Sequence, residues 1–515
     1  VATRRDWFAL GVLVLPVLLI SIDMTVLGFA LPFLAEDLAP SSAQQLWIVD
    51  IYSFVLAGLL VLMGTVGDRI GRRRLLYLGA LAFGIASALA AYSTSAEMLI
   101  VARALLGLGG ATLMPSTLSL IRNIFTDRAQ RRLAIGIWSA AFSGGMALGP
   151  VVGGWLLEHF WWGSVFLINV PVMAVLLIAL VAVPESRDPK PGKFDPLSAV
   201  LSLATLLPVI YGVKKMAEQQ AVSLLPALSI VLGLAFGAAF VRRQWSLEQP
   251  MLDLNLFRER RFSVSVLTNM LGVFAMIGLL FLLPQYLQLV LGLSPMTAAL
   301  WILPQALAAV LGALLAARLA QRFSVPALVG IGLLVAAAGF LAITQLGVDS
   351  GLAYVVVGFA VVGFGVALSE TLTNDMIIAT APPARAGAAS AISETGFELG
   401  GALGVALLGS LSSMLYRADL GALDGLSASA SDAARETLGG AVAVADGVSG
   451  PAGAALHASA SGAFVHSVQL TALVGAAILA YTGIQAMVLL RKKKQTGAGG
   501  VGGDSTTPDR TTVEA

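Results

Sequence analysis

The sequence predicts an all-α polytopic membrane protein in which two six-helix bundles flank two additional transmembrane helices. Three observations predict it. The chain is 57% hydrophobic and 12% charged, with a mean hydropathy of +0.88, far from the roughly one-quarter charged residues of soluble domains. Fourteen apolar runs can each cross about 30 Å of hydrocarbon as a helix. Basic residues also alternate with the runs: 26 of the 31 Lys and Arg fall at the termini or in loops on the same side as the termini. By the bias of bases towards the cytoplasm, both termini are expected inside.

Taken in order, the first run (7–34) is broken only by Asp23, in LLISIDMTVLGFALP. It is too long for a signal-peptide core and no small-residue cleavage site follows, so it is read as retained. Runs 46–63 and 75–93 are joined by the short polar turn GTVGDRIGRRR, and 98–120 contains Arg103. Run 133–157 is glycine-rich, and 164–183 completes the first six. The Pro-rich connector PESRDPKPGKFDP (184–196) cannot continue a helix. Runs 196–213 and 222–241 form the extra pair, expected to fill between the halves or face lipid, with nothing in VLSLATLLPVIYG suggesting a site. The second six are 263–290, 297–317, 326–346, 352–379, 387–411 and 463–490.

The expected domains are therefore 1–183, 184–261 and 262–490, with 491–515 as a disordered tail lacking apolar content. Residues 412–462 read as a long outer loop, either a polar linker or one containing a marginal hairpin at 438–450. A doubled unit should repeat its inner loops. The counterpart of GTVGDRIGRRR is AARLAQRF (316–323), a weak echo that keeps a base and loses the acid.

An acid at the depth of Asp23 must carry a proton, pair or face water. Arg103 is the expected partner, and pairing is compatible with proton transfer. In the turn after the second run, Gly64, Gly67 and Gly71 allow helix ends to approach. Asp68 there can cap a helix or pair with an Arg across a domain boundary, while Arg69 and Arg72 add charge. RALLGLGGA (103–111) follows its buried Arg with small residues suited to helix packing. The fifth run carries Gly136, Gly145, Gly149, Pro150, Gly153 and Gly154. Three of these glycines repeat every four residues as one smooth face, and the proline favours a bend.

These strings resemble the major facilitator superfamily. GTVGDRIGRRR looks like its inner-loop signature and RALLGLGGA like its fourth-span motif, with Leu106 where that pattern commonly has Gln. The glycine–proline string resembles the signature of exporters that exchange drugs for protons. IDMTVLGFALP and WGSVFLINVP are similar to the first and sixth spans of the fourteen-span drug:proton antiporters. The resemblance covers roughly residues 5–490, apart from the 412–462 loop, and implies a major facilitator fold with Asp23 and Arg103 coupling proton movement to transport.

Further acids lie inside the runs. Asp50 sits near the outer end of the second, and Glu394 and Glu398, four apart, share a face of the thirteenth, where like charges make a neutral form accessible. Acids at these places resemble the branch that exports quaternary ammonium biocides, dyes and other lipophilic cations. A partly dehydrated carboxylate neutralises such a cation and aromatic faces attract its nitrogen. Asp23, Asp50, Glu394 and Glu398 are thus the expected cation-binding acids. Tyr52, Trp138, Phe142, Tyr286, Trp301 and Phe397 are candidate aromatic walls, of which about a third are expected to touch ligand and the rest to anchor or pack. Glu370 and Asp375 read as a solvated helix end.

The expected function is proton-coupled multidrug export from the bacterial cytoplasmic membrane, by a monomer in the lipid bilayer. The alternatives are a narrow-specificity exporter of an endogenous metabolite, antibiotic or lipid, and a transporter-like sensor or assembly protein. No enzyme activity, cofactor, metal or nucleic acid is expected. An ATP-driven pump is excluded, since no G-x4-GK[ST] loop is present. With no cysteine, thiol and disulfide chemistry is absent, and His159, His457 and His466 are scattered and assigned no role.

Overall fold

A computed structural model describes residues 2–187, 194–381, 386–421, 426–448 and 450–490. Among them, fourteen helices are long and apolar enough to cross a membrane. They are α1 (Arg4–Leu38), α2 (Ser42–Ile70), α3 (Arg72–Ala91), α4 (Ala96–Ile124), α5 (Arg128–His159), α6 (Ser164–Ala182) and α7 (Pro196–Gln219). The others are α8 (Leu224–Ser246), α9 (Arg260–Val290), α10 (Pro295–Leu319), α11 (Val325–Ile343), α12 (Leu352–Thr380), α13 (Ala386–Asp419) and α14 (Pro451–Leu489). Lipid offers no partner to a bare peptide group, so each span bonds its own backbone. Polar residues start the spans: Thr3 with Asp6 and Ser41 with Gln44 form capping boxes on α1 and α2, and Asp195 caps α7 ahead of Pro196.

The helices form two bundles of six, α1–α6 and α9–α14. In the first, α1 packs on α5 and α4 on both α2 and α3; in the second, α9 packs on α13 and α12 on both α10 and α11. The doubled unit that is faint in the sequence is thus plain in the packing. Both α1–α5 and α9–α13 approach through glycines four apart. A Cβ on Gly145, Gly149 or Gly153 would fall 1.9–2.3 Å from Ser21, Thr25 or Val26 of α1, and one on Gly400 or Gly404 would fall 2.2–2.6 Å from backbone carbonyls of α9.

Contacts between the bundles gather at the end opposite the termini. Gln288 donates to the Phe29 carbonyl (3.3 Å), the Met296 amide donates to Glu158 (3.1 Å), and Leu46 lies against Gly409.

One expectation is corrected here. The 412–462 segment is neither a linker nor a hairpin in its described part: α13 continues to Asp419, α14 begins at Pro451, and helices Ala428–Glu436 and Leu438–Gly447 lie between. These short helices cap the end opposite the termini. Tyr416 donates to the Ala434 carbonyl (2.9 Å), Glu436 accepts from the Ser42 amide (2.8 Å) and pairs with Arg417, and Gly439 abuts Ala35. The extra helices divide between the two expected places. α7 lies in the seam between α2 and α13 and touches both bundles, while α8 packs on α7 and exposes Leu224, Leu228, Val231 and Leu234. The expected disordered tail, 491–515, lies outside the described residues.

Candidate functional site

Asp23 and Arg103 meet at the centre of the first bundle. Arg103 is 2% exposed and Asp23 1%, and the guanidinium donates to one Asp23 oxygen at 2.6 Å. Its remaining donors reach the carbonyls of Ile48 (3.0 Å) and Val49 (3.4 Å), and the Tyr52 ring lies 4.8 Å beneath it. The second Asp23 oxygen is buried with no hydrogen-bond partner among the described residues.

The local sequence sets this up. Ser21 and Thr25, flanking Asp23, turn their hydroxyls back onto carbonyls of their own helix at 2.9–3.4 Å. They then present small surfaces to Gly145 and Gly149 of α5, so α1 is seated tightly on both sides of the acid. On the other side, Gly107 and Gly110 leave room for Tyr52: a Cβ would fall 2.6 Å from its carbonyl or 2.9 Å from its hydroxyl. The RALLGLGGA string therefore supplies the base and the space for the ring that lies under it.

Tyr52 stands between the acids of the two bundles. It lies within electrostatic range of Asp23 and of Glu398, across the seam on α13. Glu398 is 2% exposed; Ser53 faces it, but neither carboxyl oxygen makes a hydrogen bond of normal geometry among the described residues. Glu394 follows within range of Glu398, and Glu370 of α12 within range of Glu394. Glu370 is half-buried beside another acid rather than at a solvated helix end, whereas Asp375 is exposed.

Asp50 is not a free carboxylate. Lys214 of α7 donates a 2.9 Å hydrogen bond to one of its oxygens and stands 2.8 Å from the other, both side chains having 0% exposure. The ammonium also sits 3.9 Å from the centre of the Trp47 ring. Ending the seventh run at residue 213 put Lys214 in an outer loop, but the helix continues to Gln219. One signal was available: a base on the side opposite the basic loops needs a partner.

The aromatic candidates divide. Tyr52 is in the cluster, and half-buried Phe397 adjoins Glu398 in sequence. Trp138 and Phe142 stack on α5 at 6.4 Å, with the Trp138 indole donating to Thr117 (3.2 Å), and no hydrogen bond or ring contact joins them to the acids among the described residues. Two stand apart: Tyr286 gives its hydroxyl to the Gly347 carbonyl (2.7 Å), and Trp301 is 40% exposed. Tying and exposure fit packing and anchoring.

The turn between α2 and α3 is pinned to the stretch that follows α6. Asp68 pairs with Arg72 in its own loop rather than across a bundle boundary. Gly71 has φ +109°, and a Cβ there would strike the Glu185 carboxylate at 2.7 Å. That carboxylate accepts from the Arg73 amide (2.9 Å), Arg72 bonds to the Ser186 carbonyl (2.8 Å), and Arg69 lies 5.7 Å from the Phe194 ring. A Cβ on Gly67 would meet the Arg72 side chain at 2.9 Å, whereas Gly64 and Gly136 have open space. Gly154 instead serves the contact between bundles, where a Cβ would fall 2.8 Å from Met296.

Comparison with known proteins now places the chain. Residues 13–405 match the Major Facilitator Superfamily. The multidrug efflux pump LfrA of Mycolicibacterium smegmatis is 49% identical over 476 residues, 92% of this chain and 94% of that protein. The methyl viologen resistance protein SmvA of Salmonella typhimurium is 36% identical over 472 residues, 91% of this chain and 95% of that protein. Among solved structures, an inward-facing, unoccupied bacterial homologue of the human lysosomal transporter Spinster superposes with a TM-score of 0.67 at 20% identity. The match covers 95% of this chain and 98% of that one.

Proposed function

The chain belongs to the major facilitator superfamily, and on that premise we propose that it exports lipophilic cations in exchange for protons across a bacterial cytoplasmic membrane, with both termini inside. It is a multi-pass membrane transporter and not an enzyme. One observation supports the proposal above others: two buried carboxylates, Asp23 and Glu398, lie within electrostatic range of Tyr52 from opposite bundles, with oxygens that have no hydrogen-bond partner of normal geometry among the described residues. An incompletely partnered acid at this depth is stabilised by a proton or by a bound cation. Exchange follows when the two compete.

With the termini inside, the hydrogen bonds between the bundles lie at the outer end, and the cation is taken to enter from the cytoplasm. Glu398 and Glu394 neutralise an entering cation, and Tyr52 and Phe397 offer ring faces to its nitrogen. Rocking of the bundles exposes the site outside, protons displace the cation, and the return leg carries them in. The Asp23 oxygen that Arg103 leaves bare is where a proton exchanges during the cycle. A monovalent cation leaving against one proton is electroneutral, and each further proton adds ~2.3 kcal/mol per 100 mV.

Ethidium efflux from cells expressing the chain, energised and then uncoupled, tests this with Asp23→Asn at matched expression. Collapse of efflux in both cases is the expected result. A second reading, a narrow exporter of one antibiotic, is favoured by relatives such as the tetracenomycin C resistance and export protein of Streptomyces glaucescens, 32% identical over 79% of this chain. That reading takes over if wild-type cells export neither ethidium nor any quaternary ammonium compound.

A further inference from the structure

The first bundle's second fully buried ion pair is formed with a helix that belongs to neither bundle. Lys214 reaches from α7 into α2, where Asp50 and Trp47, three residues apart on one face, receive its ammonium between a carboxylate at 2.8 Å and a ring at 3.9 Å. A carboxylate beside an aromatic face is the chemistry that recognises alkylammonium ions. A tie whose only task was to hold α7 in place would be served as well by apolar packing, because burying both charges costs their hydration. Apolar packing is already present one turn away, where Ile210 meets Phe54 and Ala402.

The position of the pair matters too. α7 touches α2 on one side and α13 on the other, and these two helices meet across the seam between the bundles. A rocking motion that separates α2 from α13 cannot preserve both sets of contacts.

We propose that Trp47 and Asp50 form a second cation site whose occupant in this conformation is the protein's own Lys214, a tethered competitor for the exported cation. While Lys214 is seated, the transporter offers its free acids to one positive centre. With it gone, a second centre can bind on α2. The inference rests on the cation-export reading for its transport consequence, though not for the site itself.

The test is equilibrium binding to purified full-length protein, with ethidium as the monocation and methyl viologen as the dication. Lys214→Met is expected to raise affinity for methyl viologen about tenfold relative to ethidium. Adding Asp50→Asn should remove that gain, and Lys214→Arg, which keeps a cation over Trp47, should show no such gain. Equal changes for both probes in Lys214→Met overturn the proposal and make the pair a structural tie. If wild-type protein binds neither probe, the export reading fails by itself and the site is then read from thermal stability. Saturable recovery of Lys214→Ala by methylammonium chloride, but not by sodium chloride, supports the site. Absence of recovery overturns it, including the case in which Lys214→Ala stays unfolded while Asp50→Asn/Lys214→Met folds.

Discussion

The two bundles treat their buried acids in opposite ways. In the first, Asp23 faces Arg103 and Asp50 faces Lys214. In the second, Glu370, Glu394 and Glu398 run from α12 to α13, and no ion pair to any of them is found among the described residues. A paired bundle stays close to neutral whichever way the transporter faces. An unpaired row of acids is stabilised by what arrives from solution. The difference suggests a division of labour, with proton release governed at Asp23 and the cation held mainly on α13.

The largest effect should come from the first bundle. Asp23→Asn keeps shape and hydrogen bonding but removes the exchangeable proton, so energised ethidium efflux is expected to fall at least about a hundredfold, the lower end of the ordinary contribution of one proton-transfer group. Arg103 would then be a buried cation without its counter-ion, costing about 3–5 kcal/mol, so thermal stability should fall as well. Efflux that survives in Asp23→Asn would break the proposed division.

Glu398→Gln sharpens the same comparison because its two readouts should move in opposite directions. Loss of the charge is expected to weaken ethidium binding about tenfold, or ~1.4 kcal/mol. The same change removes an unpartnered buried acid, so the melting temperature should rise. In Asp23→Asn both quantities fall. If Glu398→Gln also lowers the melting temperature, Glu398 has a partner outside the described residues and the contrast between the bundles weakens.

The parts that were legible in the sequence share a cause. Asp23 and Arg103 each interrupt an apolar run, and the glycines of α5 repeat at helical spacing, so one chain segment announces each feature. Lys214 did not announce itself, because the end of an apolar run is not the end of a helix and Asp50 lies 164 residues away. The 412–462 segment misled for a related reason. Its Ala, Gly and Ser fit a linker, yet small residues also let short helices settle on a packed surface, as Gly439 does on Ala35. The repeat was hidden in turn because only packing positions repeat: Gly145 and Gly149 on α5, and Gly400 and Gly404 on α13.

Those matched glycines give a smaller prediction. A Cβ on Gly149 would fall 2.0 Å from the Thr25 hydroxyl, and one on Gly404 would fall 2.2 Å from the Phe274 carbonyl. Overpacking of this kind costs about 1–3 kcal/mol, so Gly149→Ala and Gly404→Ala should destabilise to a similar extent in thermal unfolding. Gly149→Ala shifts the helix that carries Asp23 and should also slow proton-driven efflux. Gly404→Ala shifts the helix that carries Glu398 and should show first as weaker ethidium binding. Identical functional defects would mean that the two bundles do not divide the work.

The smallest effect is expected where the bundles are fastened together. At the end opposite the termini, Arg417 of α13 donates to the Ser42 hydroxyl (2.7 Å) and to the Glu218 carbonyl, and pairs with Glu436. One side chain thus joins both bundles, α7 and the capping helices. The pair is partly exposed, and such pairs contribute at most about 1 kcal/mol. Losing that much changes an equilibrium about fivefold, too little to unfold the protein and enough to alter how often this end opens. Since the chain has no cysteine, Leu46→Cys provides a single reporter at a site buried against Gly409. Adding Arg417→Gln should raise its labelling rate with a water-soluble maleimide about fivefold, while Arg417→Lys, which keeps the charge but not the fork of donors, should fall between. An unchanged rate would show that apolar contact between α2 and α13 holds this end shut without the latch, and that the seam lined by α7 is where opening is controlled.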